Sequence, residues 1–188
     1  MAKKKRARRC NYELLERPPR KSPGTVAGAI YILLDELIAT VHKDLEPAKI
    51  LIAWRIGYKA DKDGKLILGQ CRKASDVAKE LQAHDFIILI NRESWATFSP
   101  EQKRALLDHE LCHAAPLMDD NDGTQKEDER GRKLWRIRKH DIEEFTDVVR
   151  RNGIYKTDLE AFARAAVEKL RDGPSLFDPE AEADRDTA

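Results

Sequence analysis

The run His109-Glu110-Leu111-Cys112-His113 sets two imidazoles four residues apart, with a carboxylate beside the first. On a helix, such positions lie one turn apart on the same face. Two imidazoles placed this way can bind one zinc ion with tetrahedral geometry. Glu110 does not need to ligate. Its carboxylate can reach a water activated by the ion and accept its proton. Zinc lowers the pKa of that water from about 15.7 towards 7 and polarises a substrate carbonyl. The chemistry predicted is hydrolysis, with His109 and His113 as ligands and Glu110 as general base.

A catalytic zinc usually takes three protein ligands and leaves one position open. His140 is the expected third ligand. It immediately precedes Asp141-Ile-Glu-Glu144, which reads as a helix start, and a helix can aim an imidazole placed just before it. Glu143 and Glu144 are the alternatives. Glu144 also completes a capping box with Asp141, and Glu143 suits the first turn of a helix. Cys112 reads as a small apolar residue on the helix flank. His84 reads as a loop histidine, and His42 as a cation near a helix C-terminus. Tyr155, Arg136 and Arg138 could each stabilise an oxyanion, and the sequence does not choose among them.

Several elements must position these groups. Ser99-Pro-Glu-Gln102 predicts an N-cap, a first-turn proline and a reciprocal capping partner. The helix that follows should run to about Ala115, with Leu106, Leu107 and Leu111 inward and the motif facing a cleft. Apolar residues at three- and four-residue steps predict a first helix over Thr25–Leu45. Alternation over Ile50–Tyr58, a turn at Asp61–Gly64 and a return over Lys65–Cys71 predict a hairpin. Ser75 can cap a short helix to about Gln82. Phe86–Ile90 reads as a buried strand whose edge, if exposed near the metal, could take an extended peptide by strand addition. Asp119–Arg132 reads as a polar loop without calcium-loop spacing. Helices should follow over Asp141–Arg151 and from Thr157, the latter stopped by Gly173-Pro174. The class expected is α+β, with a small, mainly antiparallel sheet packed on the first helix and the metal helix, and with C-terminal helices.

The stretch SPEQKRALLDHELCHA, then LWRIRKHDIEEF and a helix ending RNG, resembles the putative phage metallopeptidase family, a zincin-like group. The resemblance spans roughly Ile50 to Ile154. The HELCH core also resembles SprT-like zinc proteases, in which a downstream histidine completes the site. The resemblance implies a zincin-like fold, a protein or peptide substrate, Zn2+ on His109, His113 and His140, and Glu110 as base. The SprT-like histidine is followed by glycine, whereas His140 is followed by Asp141.

Composition bounds the rest. The chain has 188 residues, 41% hydrophobic and 37% charged, enough for one domain with tails. Its longest uncharged stretch, Ser22–Leu34, is 13 residues, too short to cross a bilayer. MAKKKRARR is not followed by the apolar core of a secretory signal. Three cysteines without a CxxC pair suit a reducing cytoplasm, that of the host cell if the chain is phage-encoded. The net charge of +1 conceals +7 over residues 1–22 and −4 over residues 171–188. The organisation expected is a basic disordered arm (1–22), a metallopeptidase domain (23–173) and an acidic disordered tail (174–188). The arm could instead hold nucleic acid through phosphate contacts. The competing reading is therefore a nucleic-acid-binding or regulatory protein whose metal is structural or absent.

Overall fold

A computed structural model of the chain describes residues 11–19, 24–142 and 146–172. The Lys/Arg cluster at residues 3–9, the acidic tail from 174 onward, and Glu143 and Glu144 lie outside these residues. The chain forms two compact units, residues 1–138 and residues 139–188.

The first unit is built on a four-stranded mixed sheet. Its strands are β1 (Asn11–Leu15), β2 (Ile50–Ile56), β3 (Gly69–Lys73) and β4 (Phe86–Asn91), in the order β1-β2-β4-β3. β2 pairs antiparallel with β1 and parallel with β4, and β3 pairs antiparallel with β4. The expected hairpin between β2 and the following strand therefore does not form. Burial gives the reason. Residues 50–54 are all buried, as are five of the six residues of β4, so both strands are apolar on both faces. Strands of that kind belong in the middle of a sheet. β3 has one buried residue, Cys71, and exposed Arg72 and Lys73, so it stays at the edge. The expectation that Phe86–Ile90 offers an edge to a peptide is corrected for the same reason: β2 and β3 occupy both of its sides.

β1 falls within the stretch expected to be a disordered arm, so that boundary is corrected for residues 11–15. The strand is short, but the sheet and first helix clamp it. Tyr31 Oη donates to the Leu15 carbonyl at 2.8 Å and accepts the Ile52 amide at 3.1 Å. Arg17 pairs with Asp35 at 2.8 Å and lies over the Tyr31 ring. No local periodicity announces these contacts, because their partners lie 16 to 21 residues or more away in sequence.

The helix α1 (Val26–Thr40) is capped by the Thr25 side chain, which accepts the Gly28 amide. It buries Ile30, Tyr31, Leu34 and Leu37 in the core. It ends before the expected Leu45, and a short 3-10 turn, Lys43–Leu45, carries the fully buried Leu45. The helix α2 (Asp76–Gln82) starts at the Ser75 cap as expected. The helix α3 (Arg92–Thr97), capped by Asn91, occupies what reads in sequence as a connection.

The helix α4 (Pro100–Cys112) begins with the predicted capping box, Ser99 and Gln102 each bonding the other's backbone. Leu107 and Leu111 are fully buried, and Leu106 packs against the core. α4 stops three residues short of Ala115 because Ala114 opens a second, two-stranded sheet: β5 (Ala114–Pro116) pairs antiparallel with β6 (Trp135–Ile137). Burial of Ala114 and Ala115 and the seating of Trp135 edge-on against Phe86, ring centroids 5.7 Å apart, favour the ladder over another helical turn. The polar segment between β5 and β6 is ordered by Leu117–Leu134 and Lys126–Leu117 backbone bonds and by the Arg132–Asp128 ion pair.

The second unit contains α5 (Thr146–Asn152) and α6 (Thr157–Asp172), with Gly153 between them in the left-handed region that ends a helix. Among the described residues, no helix is long and apolar enough to cross a membrane.

Trp135 is 2% exposed and is the main apolar anchor of β6. Truncation by Trp135→Ala should cost about 3–5 kcal/mol. Leu14→Ala on the outer face of β1, where the side chain is 58% exposed, should stay within about 0.5 kcal/mol of wild type. Urea unfolding of the two variants checks the contrast.

Candidate metal centre

The two motif histidines project from the last turn of α4. Their rings meet edge to face with centroids 5.1 Å apart, as expected for positions i and i+4 on one helical face. His109 is exposed and His113 half-buried.

His113 is held in a defined orientation. Its Nδ1 lies 2.8 Å from the carbonyl oxygen of Arg138, and the Arg138 amide donates to the His113 carbonyl at 2.7 Å. A carbonyl oxygen only accepts, so Nδ1 carries the hydrogen and Nε2 is the nitrogen available to a cation. Such an outer hydrogen bond fixes ring direction and raises ligand basicity. The two bonds extend the β5–β6 pairing by one residue pair, so the small second sheet supports this imidazole.

His140 follows Arg138 by two residues, within about 7 Å of chain reach. It belongs to the second unit, one residue past its start. Glu143 and Glu144 are not among the described residues. His84 belongs to no ligand group among the described residues, and its half-buried ring lines a cavity beside α1 of about 760 Å³. His42 lies beyond the end of α1 with Nε2 at 2.6 Å from Asp108 Oδ1, so it meets a carboxylate rather than only the helix end. Cys112, expected to behave as an apolar flank residue, is exposed on the same helix.

Glu110 lies on a different side of α4 from the exposed His109. It is 2% exposed and packs onto β3. The Cys71 backbone amide donates to its carboxylate, and Oε2 is buried without a protein hydrogen-bond partner. Burial pushes the Glu110 carboxyl above its usual range, opposed first by the neighbouring His113 and then by the Cys71 amide. Burial, together with the Glu110 charge, pushes the Cys71 thiol up to about 12. An orphaned, buried carboxylate oxygen costs free energy unless something polar reaches it. Beside two imidazoles, this is the acceptor that an activated water would need, and nitrogen donors with one free carboxylate suit a borderline cation such as zinc.

Gly69 makes room for this carboxylate. A Cβ there would stand 2.8 Å from Glu110 Cδ and 2.9 Å from Cγ, and nearer still to Oε1. Sequence reasoning missed Gly69. A glycine opening an edge strand has no signal of its own until α4 is laid across it.

Gly69→Ala should lower stability by about 1–3 kcal/mol through this overlap. In a double-mutant cycle, Glu110→Ala should remove most of that penalty, with a coupling of about 1 kcal/mol or more. Denaturant unfolding of the four proteins measures it, and additive effects would mean that Gly69 does not shape the carboxylate's place.

The profile of the putative phage metallopeptidase family matches residues 25–167, about three quarters of the chain. Comparisons with curated proteins and with solved structures gave no match. Members of such a family act on proteins or peptides and use a metal, and the His109–His113 pair is of the kind that could help to hold one. The chain belongs to the putative phage metallopeptidase family.

Proposed function

We propose that this chain is a zinc peptidase of the HExxH type with a zincin-like fold, in which His109, His113 and His140 hold the ion and Glu110 is the general base. The observation that carries the reading is the Glu110 carboxylate, buried on β3 with Oε2 unpartnered, one residue from an imidazole pair on the same helix. His113 supports it further, because the Arg138 carbonyl turns Nε2 outward. His140 is supported by its short tether to Arg138, two residues along the chain.

Zinc bound there would supply an activated water and a polarised substrate carbonyl. Glu110 would accept a proton at Oε2 while Oε1 stays tied to the Cys71 amide, and would pass it on to a leaving amine. The Cys71 amide and the Gly69 backbone hold the carboxylate in one place, so little reorganisation accompanies proton transfer. Among the described residues, β3 stands at the edge of its sheet and pairs there with β4. A reducing, cytoplasmic setting follows from cysteine usage.

Glu110→Gln should retain about one zinc per chain and lose peptide hydrolysis by about 10²–10⁴-fold, the usual contribution of a positioned base. His113→Ala should lose the zinc as well. Metal analysis and a peptide-cleavage assay on the same preparations separate these outcomes. Undiminished hydrolysis by Glu110→Gln would overturn the assignment.

A further inference from the structure

α4 carries a second pair of potential ligands at helical spacing. Asp108 and Cys112 stand four residues apart, each one residue before a motif histidine, so this pair is turned about 100° around the helix from His109 and His113. Facing it is His42, just beyond α1. The His42 amide bonds the Leu37 carbonyl at 3.0 Å, and its own carbonyl accepts the Leu45 amide at 2.9 Å. Leu45 is fully buried, so the backbone carrying His42 is anchored in the core. One ligand atom from each of His42, Asp108 and Cys112 lies within 4.8 Å of the other two.

We propose that His42, Asp108 and Cys112 form a second metal site, separate from the motif histidines, that takes a zinc-like transition-metal dication. Imidazole and thiolate donors select borderline and soft cations over calcium or magnesium. Three protein ligands leave one position for water in a tetrahedral shell.

The spacing is that of a site ready to be filled. His42 Nε2 and Asp108 Oδ1 stand 2.6 Å apart, a hydrogen bond. Metal–ligand lengths of about 2.0–2.3 Å imply ligand–ligand separations of roughly 3.3–3.5 Å in a tetrahedron. Binding therefore puts the ion in place of the hydrogen between them and opens the pair by roughly 0.7–0.9 Å. Cys112 closes by side-chain rotation, which its exposure permits. The His42 ring hydrogen moves to Nδ1, so the imidazole stays neutral, and the thiol proton leaves to solvent, so uptake of the dication releases a proton. The site does not depend on the peptidase reading, since it uses none of the residues placed in that mechanism.

Cobalt(II) reports the two sites separately, because a thiolate ligand adds a near-ultraviolet charge-transfer absorption that imidazole and carboxylate do not. The full chain, stripped with chelator, is titrated with cobalt(II). Wild type should develop the thiolate band and bind two ions. The His109→Asn/His113→Asn protein should keep the band and bind one. Cys112→Ser should lose the band, whereas Cys10→Ser should keep it. Asp108→Asn, which preserves a hydrogen bond to His42, should weaken the band's apparent affinity by about tenfold or more, as should His42→Asn. Circular dichroism confirms that each variant is folded, and the Asp108 and His42 variants test the site independently of Cys112. Absence of the band in wild type, or its survival in Cys112→Ser, overturns the proposal. So does its loss in the His109→Asn/His113→Asn protein, which would assign Cys112 to the motif ion.

Discussion

The register of α4 against the sheet is the constraint on which the rest depends. A helix offers a different direction every 100°, and α4 uses four of them. Leu107 and Leu111 go fully into the core, Glu110 goes onto β3, His109 and His113 face outward together, and Asp108 meets His42. Burying the two leucines contributes roughly 1.5–3 kcal/mol each, and the Ser99–Gln102 capping box sets where the helix begins. Rotating the helix by one residue would drive a histidine or an aspartate into the core. The core therefore aims the polar groups, although it touches few of them.

Glu110 is where the arrangement is least comfortable. A carboxylate almost fully withdrawn from water needs compensation, and the protein supplies it only partly: one backbone amide from Cys71, a nearby imidazole and one oxygen left without a partner. Groups held at such a cost are found where chemistry requires them. The accommodation also runs through the backbone. A residue without a side chain at position 69 leaves the room that this carboxylate fills, so the edge strand and the acid are matched in shape.

The second sheet has little area and a specific purpose. β5 and β6 are three residues each, yet they join the end of α4 to the chain beyond Trp135, with Trp135 wedged against Phe86 as the anchor. Through this pairing the Arg138 carbonyl reaches His113 Nδ1 and sets which nitrogen faces outward. The long polar excursion between the two strands carries ion pairs that hold its own shape, such as Arg132 with Asp128 and Lys133 with Glu127. The imidazole on α4 is thus oriented by a residue 25 positions later.

Much of this was legible in sequence, wherever the signal was local. The capping box at Ser99, the spacing of His109 and His113, the Ser75 cap, the apolar period of α1 and the buried character of Phe86–Ile90 all depend on neighbours within a few residues. Backbone hydrogen bonding and burial act at that range. Pairing was not legible. Lys65–Cys71 follows the second strand closely enough to suggest a hairpin, but β4, apolar on both faces, needs neighbours on both sides and takes that place instead. The strand at Asn11–Leu15, the glycine under Glu110, the carbonyl behind His113 and the meeting of His42 with Asp108 join residues 16 to 66 or more apart or depend on how one element crosses another. Sequence by itself determined which residues could do chemistry and that two of them share a helical face, because helix geometry is a local property. Only the tertiary structure decided what stands behind and beside them, because burial is settled by the whole chain at once.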